Sequence, residues 1–131
     1  MRTRGRVVAV GLMVALVAVC LGGCMALYVP PTPKASVEIT STRQNYYEYF
    51  QEWSDYVYVY FTIENTGSVD IDYYEVYLEV QCEGGAVYRD WTNGLNVRVG
   101  KKLSDWTMCD TGGKRVLSVT VSDVQLTSYS Y

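Results

Sequence analysis

Histidine is absent from all 131 residues. That removes the usual general base near neutral pH, the usual activator of a nucleophile and the commonest metal ligand. No Gly-x-Ser-x-Gly, Ser-x-x-Lys or phosphate-cradling glycine loop occurs either. Paired carboxylates remain a formal route to acid–base chemistry, but with 14 acidic residues chance adjacency accounts for any pair. The chain is expected to be non-catalytic, with no cofactor. Basic charge is also scarce. The 11 Lys and Arg include Arg2, Arg4 and Arg6, and without those three the balance is 8 basic to 14 acidic, a net of −6. Such a domain is repelled by nucleic acid and by anionic lipid, so no nucleic-acid partner is expected.

Proline is confined to positions 30, 31 and 33, and the one long apolar run lies just before them. Residues 1–6 (MRTRGR) are basic, residues 7–21 are uncharged and almost wholly apolar, and Leu21-Gly22-Gly23-Cys24 follows. A basic stretch followed by an apolar run of this length is the layout of a secretory signal peptide. The four residues at its end resemble a bacterial lipobox: Leu, a small residue, Gly or Ala, then the lipidated Cys. That likeness implies cleavage after residue 23 and lipid on Cys24. Cys20, preceded by the bulky Val19, does not fit the pattern and would leave with the signal. The other reading is an uncleaved anchor helix, since residues 7–29 are nearly free of polar groups and about 20 apolar residues cross a bilayer. Both put the rest of the chain outside the cytoplasm, at the cell membrane or outer membrane. Residues 24–35 then form a tether whose prolines favour an extended segment rising about 3.1 Å per residue.

From residue 36 to residue 131 the pattern is that of one β domain. In 56–65 (YVYVYFTIEN), Val57, Val59, Phe61 and Ile63 alternate with Tyr56, Tyr58, Tyr60, Thr62 and Glu64. In 74–83, Val76, Leu78, Val80 and Cys82 alternate with Glu75, Tyr77, Glu79 and Gln81. Such alternation predicts strands buried on one face. Turn signals occur at Asn65-Thr66-Gly67, Glu83-Gly84-Gly85, Thr92-Asn93-Gly94, Val99-Gly100-Lys101 and Thr111-Gly112-Gly113. Together they predict seven strands, near 36–43, 56–65, 70–82, 86–91, 95–99, 103–109 and 115–127. The fold class is all-β, an antiparallel two-sheet sandwich. Residues 44–56 (QNYYEYFQEWSDY) read as an aromatic-rich connection folded over one end.

The stretches VYFTIENTGSVDIDYYEVYLEV and LNVRVGKKLSDW resemble the immunoglobulin-like FxLYD domains of bacterial and archaeal lipoproteins. The features shared are Asn65-Thr66-Gly67, the long strand after it and Gly100. Where that family closes on Phe-x-Leu-Tyr-Asp, this chain has Ser122-Asp123-Val124-Gln125-Leu126. The resemblance implies an immunoglobulin-like sandwich over about residues 36–127. It carries over no catalytic residue.

Three groups of residues are candidates for special roles. Cys82 and Cys109 are the thiols left besides Cys20 and Cys24. Outside the cytoplasm such a pair reads as a disulfide, closing a loop of 28 residues for roughly 3–4 kcal/mol, with two separate core cysteines as the alternative. Bonding requires a bulge near Cys109, which is out of step with Trp106 and Met108 if those two face the core. Asp70 and Asp72, with Glu64 and Glu75 near in sequence, read as charged rim residues rather than a calcium loop, so no metal site is expected. Tyr56, Tyr58 and Tyr60 form an outward row within a set of 13 tyrosines. The row is either an ordinary half-wet strand face or a binding surface. The expected whole is a lipid-anchored interaction or scaffold module of the cell envelope. Its partner is then another envelope protein or, in the alternative of a carbohydrate-binding module, a glycan.

Overall fold

The computed structural model describes residues 31–129. Cys20, Cys24, the 1–23 segment and most of the tether lie outside the described residues. Six strands make up nearly all of the rest: β1 (Ala35–Tyr47), β2 (Glu52–Asn65), β3 (Ile71–Cys82), β4 (Val87–Val97), β5 (Lys102–Asp110) and β6 (Val116–Thr127). Among the described residues no helix is long and apolar enough to cross a membrane.

The strands form two antiparallel sheets, β1-β2-β5 and β4-β3-β6. This order corresponds to strands A-B-E facing C′-C-F in immunoglobulin sandwiches. The two central strands supply most of the core. Val57, Val59, Phe61 and Ile63 of β2 face Tyr74, Val76, Leu78, Val80 and Cys82 of β3, all buried. The edge strands contribute less, through partly buried residues such as Val37, Ile39, Val119 and Val121. The alternation legible in β2 and β3 thus marks the strands that are flanked on both sides.

Among the described residues there are six strands rather than seven, because Asn93-Gly94 is not a turn. It lies inside β4, where Gly94 pairs with Tyr74 of β3. A Cβ on Gly94 would overlap the ring and hydroxyl of the buried Tyr74, so the glycine serves a close approach and not a bend. In the predicted strand near 95–99, Leu95 and Val99 are exposed and only Val97 reaches the core. Asn65, by contrast, works as its motif suggests. Its buried amide donates to the carbonyls of Val69 (2.8 Å) and Val97 (2.9 Å), and its Oδ1 accepts from Gly67 N–H (3.0 Å). One side chain thereby closes the β2–β3 connection and ties it to the end of β4.

The 44–56 segment is not a covering connection. It continues β1 to Tyr47 and starts β2 at Glu52, with a four-residue turn in which Gln51 adopts a left-handed φ of 53°. β5 ends at Asp110 opposite Tyr56, and past the Thr111 N–H bond to the Asp55 carbonyl (2.8 Å) the hairpin has no third strand beside it. Gln44 secures its base. The side-chain amide donates to the carbonyls of Ser54 (3.0 Å) and Lys114 (2.8 Å), and Oε1 accepts from Val116 N–H (2.9 Å). This links β1 to the β5–β6 connection and to the start of β6 in the other sheet.

Candidate binding faces

The expected tyrosine row faces outward, and the hairpin does not fold across it. Tyr56 is half exposed, while Tyr58 and Tyr60 are partly covered by their cross-strand neighbours. Those neighbours define the surface. Arg43 of β1 and Met108 of β5 lie opposite Tyr58, and Trp106 of β5 lies opposite Tyr60. The Arg43 guanidinium sits 5.0 Å from the Tyr58 ring centroid, and the Trp106 ring lies 6.0 Å from Tyr58 on the other side. Trp106 and Met108 are about half exposed.

This inverts the parity expected for β5. Asp105, Thr107 and Cys109 point inward, while Trp106 and Met108 point outward, and β5 pairs with β2 without a register shift. No bulge is needed to bury Cys109. The inward Asp105 is satisfied by the buried Tyr74 hydroxyl, which donates to it at 2.9 Å. Burial, reinforced by this bond to a carboxylate, pushes the Tyr74 phenol well above its ordinary range. Trp106 and Met108 therefore belong to the tyrosine face. Sequence reasoning missed them by taking apolar residues as inward, although their pairing opposite Tyr60 and Tyr58 follows once β5 is placed beside β2.

The chain matches no family model, no curated protein and no solved structure. Function therefore has to be read from this chain's own surfaces.

The expected disulfide is not seen in the structure. Cys82 and Cys109 are free, buried thiols, one at the end of β3 and the other near the end of β5, on opposite sheets. Burial pushes the Cys109 thiol up to about 12, with the Asp90 carboxylate adding to the effect, and burial also raises Cys82. Disulfide chemistry proceeds through the thiolate, which both environments suppress. N-ethylmaleimide added to the native protein should label neither residue. A second, isotopically distinct maleimide added after denaturation, with no reductant, should label both. Peptide mapping that finds neither labelled in the second step would restore the bond.

The acidic residues near 70 do not converge. Asp70 Oδ1 accepts from Val99 N–H at 2.9 Å, and Asp72 Oδ2 accepts from Tyr129 N–H at 2.6 Å. Both line a shallow cleft of about 440 Å³ with Ser68, Val69, Val99 and Tyr129. Glu64 lies on the outward face of β2 opposite Lys102, and Glu75 lies on the outward face of the other sheet. Among the described residues no group of three or more potential ligands is close enough to hold a metal ion.

Glu75 has an arrangement of its own. Tyr73 donates its hydroxyl to Oε1 at 2.8 Å, and Tyr77 donates to Oε2. Asn93, opposite Glu75 on β4, donates to the Tyr73 hydroxyl at 3.3 Å. These bonds, Tyr77 foremost, hold the Glu75 carboxyl below the usual range. No motif announces this cluster. It arises from the period-two spacing of Tyr73, Glu75 and Tyr77 along one strand face.

Proposed function

We propose that the protein is a non-catalytic interaction module of the cell envelope, held by lipid on Cys24 and facing away from the cytoplasm. In this reading it contacts another envelope protein through the outward face of the β1-β2-β5 sheet. The supporting observation is the continuous aromatic and apolar surface of Tyr56, Tyr58, Tyr60, Trp106 and Met108, left uncovered by the hairpin beside it. Tyr, Trp, Met and Arg are the residue types enriched at protein interfaces, where a few buried aromatics carry most of the binding energy. The lipobox-like Leu21-Gly22-Gly23-Cys24 supports the anchor, and the likeness to FxLYD domains supports placing such a sandwich on a lipoprotein. The absence of histidine supports the lack of catalysis. A carbohydrate-binding role is the second reading, and its support lies on the opposite sheet.

Cross-linking in intact envelopes, followed by affinity measurement with the recovered partner, tests the first reading. The Tyr58→Ser, Trp106→Ser double variant should lose about 1 kcal/mol of stability, the worth of an exposed aromatic pair. Its affinity should fall roughly thirtyfold or more, which corresponds to about 2 kcal/mol for a hot-spot aromatic. Unchanged affinity would remove this face from the interface. Collapse of the fold would make the row structural.

A further inference from the structure

The β4-β3-β6 sheet presents a second surface, on the opposite side of the sandwich from the tyrosine row. Tyr73, Glu75 and Tyr77 run along its centre on β3, with Asn93 and Trp91 opposite on β4 and Asp123 opposite Tyr77 on β6. Trp91 is half exposed and lies nearly parallel to Tyr77, with ring centroids 6.3 Å apart at 25°. The two rings stack on one another, and the exposed part of Trp91, backed by Tyr77, is the apolar surface of this face. Next to Tyr77 on the strand is a carboxylate whose position is fixed, because each Glu75 oxygen already accepts one tyrosine hydroxyl. A carboxylate offers about four acceptor sites, so about two remain for an incoming ligand.

Charge narrows the choice of ligand. Glu79 is ion-paired with Arg89 at 3.6 Å, whereas Glu75 and Asp123 have no ion-pair partner among the described residues. The centre of the face is therefore negative. It disfavours uronic acids and sugar phosphates, and a neutral polyol with hydroxyl donors matches what it offers. A sugar ring has the complementary chemistry, with an apolar C–H face to stack and adjacent hydroxyls at its rim.

We propose that this face binds a neutral sugar ring of an envelope glycan, stacked on the exposed Trp91 with its hydroxyls donated to Glu75. The site goes beyond the protein contact assigned to the other sheet and does not depend on it, because the two surfaces share no residue. Asn93 acts as a positioning residue, holding the Tyr73 hydroxyl that in turn holds the carboxylate.

The test uses the full chain in polyoxyethylene detergent micelles, which carry no sugar headgroup. Tryptophan fluorescence and calorimetry are run with the neutral hexasaccharides of glucose, mannose and N-acetylglucosamine. Polygalacturonate and tetramethylammonium serve as the anionic and cationic probes. At least one neutral hexasaccharide is expected to bind, and polygalacturonate is not. Trp91→Ala should weaken that binding about thirtyfold, Glu75→Gln about tenfold, and Tyr58→Ser not at all. Trp91→Phe, which keeps a stacking face, should restore most of the affinity, so loss of fold and loss of site are told apart. The proposal is overturned if no neutral hexasaccharide binds at about 10 mM, a concentration beyond the weak end of useful affinity. It is also overturned if Trp91→Ala and Glu75→Gln bind like the parent chain, or if tetramethylammonium binds and displaces the sugar, which would make the face a site for quaternary ammonium groups.

Discussion

Gly94→Ala is expected to lower the melting temperature by roughly 15–30 °C, since each kcal/mol moves a domain of this size by about 4–8 °C. The added Cβ would occupy the space of the Tyr74 ring and hydroxyl. Tyr74 is a fully buried side chain that cannot swing into solvent. Overpacking of this kind costs about 1–3 kcal/mol. Displacing the ring also breaks the 2.9 Å bond to Asp105, and a hydrogen bond to a charged group is worth about 1.5–3 kcal/mol. A total near 4 kcal/mol is a large part of the 5–15 kcal/mol that usually holds a domain together.

A double-mutant cycle separates this mechanism from a simple preference of strands. Tyr74→Phe removes the hydroxyl that sits nearest the new methyl group and gives up the Asp105 bond in advance. Gly94→Ala introduced on Tyr74→Phe should therefore cost at least 1 kcal/mol less than in the parent chain, within the range measured for residues in contact. Equal costs in both backgrounds, read by chemical denaturation, would show that Gly94 is kept for another reason.

The same pair shows where the sequence is hard to read. Asn-Gly flanked by alternating residues is the strongest local hairpin signal. It misleads at 93–94 because the deciding contact is long-range: a tyrosine twenty residues earlier needs the missing side chain. Core alternation was legible in β2 and β3, where both neighbours are strands and period two maps directly onto burial. On the edge strand β5 that mapping fails. Asp105 is inside because Tyr74 satisfies it, and Trp106 and Met108 are outside because the tyrosine row receives them. The aromatic stretch at 44–56 was unreadable for a related reason. Without a third strand beside it, the hairpin has no buried face to impose a pattern, and Tyr49 is left 92% exposed and Phe50 66%. The Tyr56, Tyr58 and Tyr60 row could be read from β2 alone. Tyr73, Glu75 and Tyr77 likewise share one face of β3, but the part played by Asn93 and Trp91 could be seen only once β4 was laid beside β3.

Cys24→Ala is expected to abolish lipid attachment completely, whereas Cys20→Ala should change neither lipid attachment nor cleavage. Both cysteines fall within or just after the apolar run, so hydrophobicity alone does not distinguish them. Their neighbours do. Cys24 follows Leu21-Gly22-Gly23, whose two glycines leave room for a peptidase to approach the backbone, while Cys20 follows the branched Val19. Labelling with an alkyne fatty acid and intact-mass measurement of the membrane fraction check both variants. The parent chain should begin at Cys24 and carry the added lipid mass, and Cys20→Ala should look the same. The Cys24→Ala chain should stay at full length, held in the membrane by the apolar residues 7–29 rather than by lipid. A parent chain that retains residues 1–23 and carries no lipid would replace the lipoprotein with the uncleaved anchor. The two proposed faces of the sandwich would be untouched by that outcome, because each is built from residues beyond the tether.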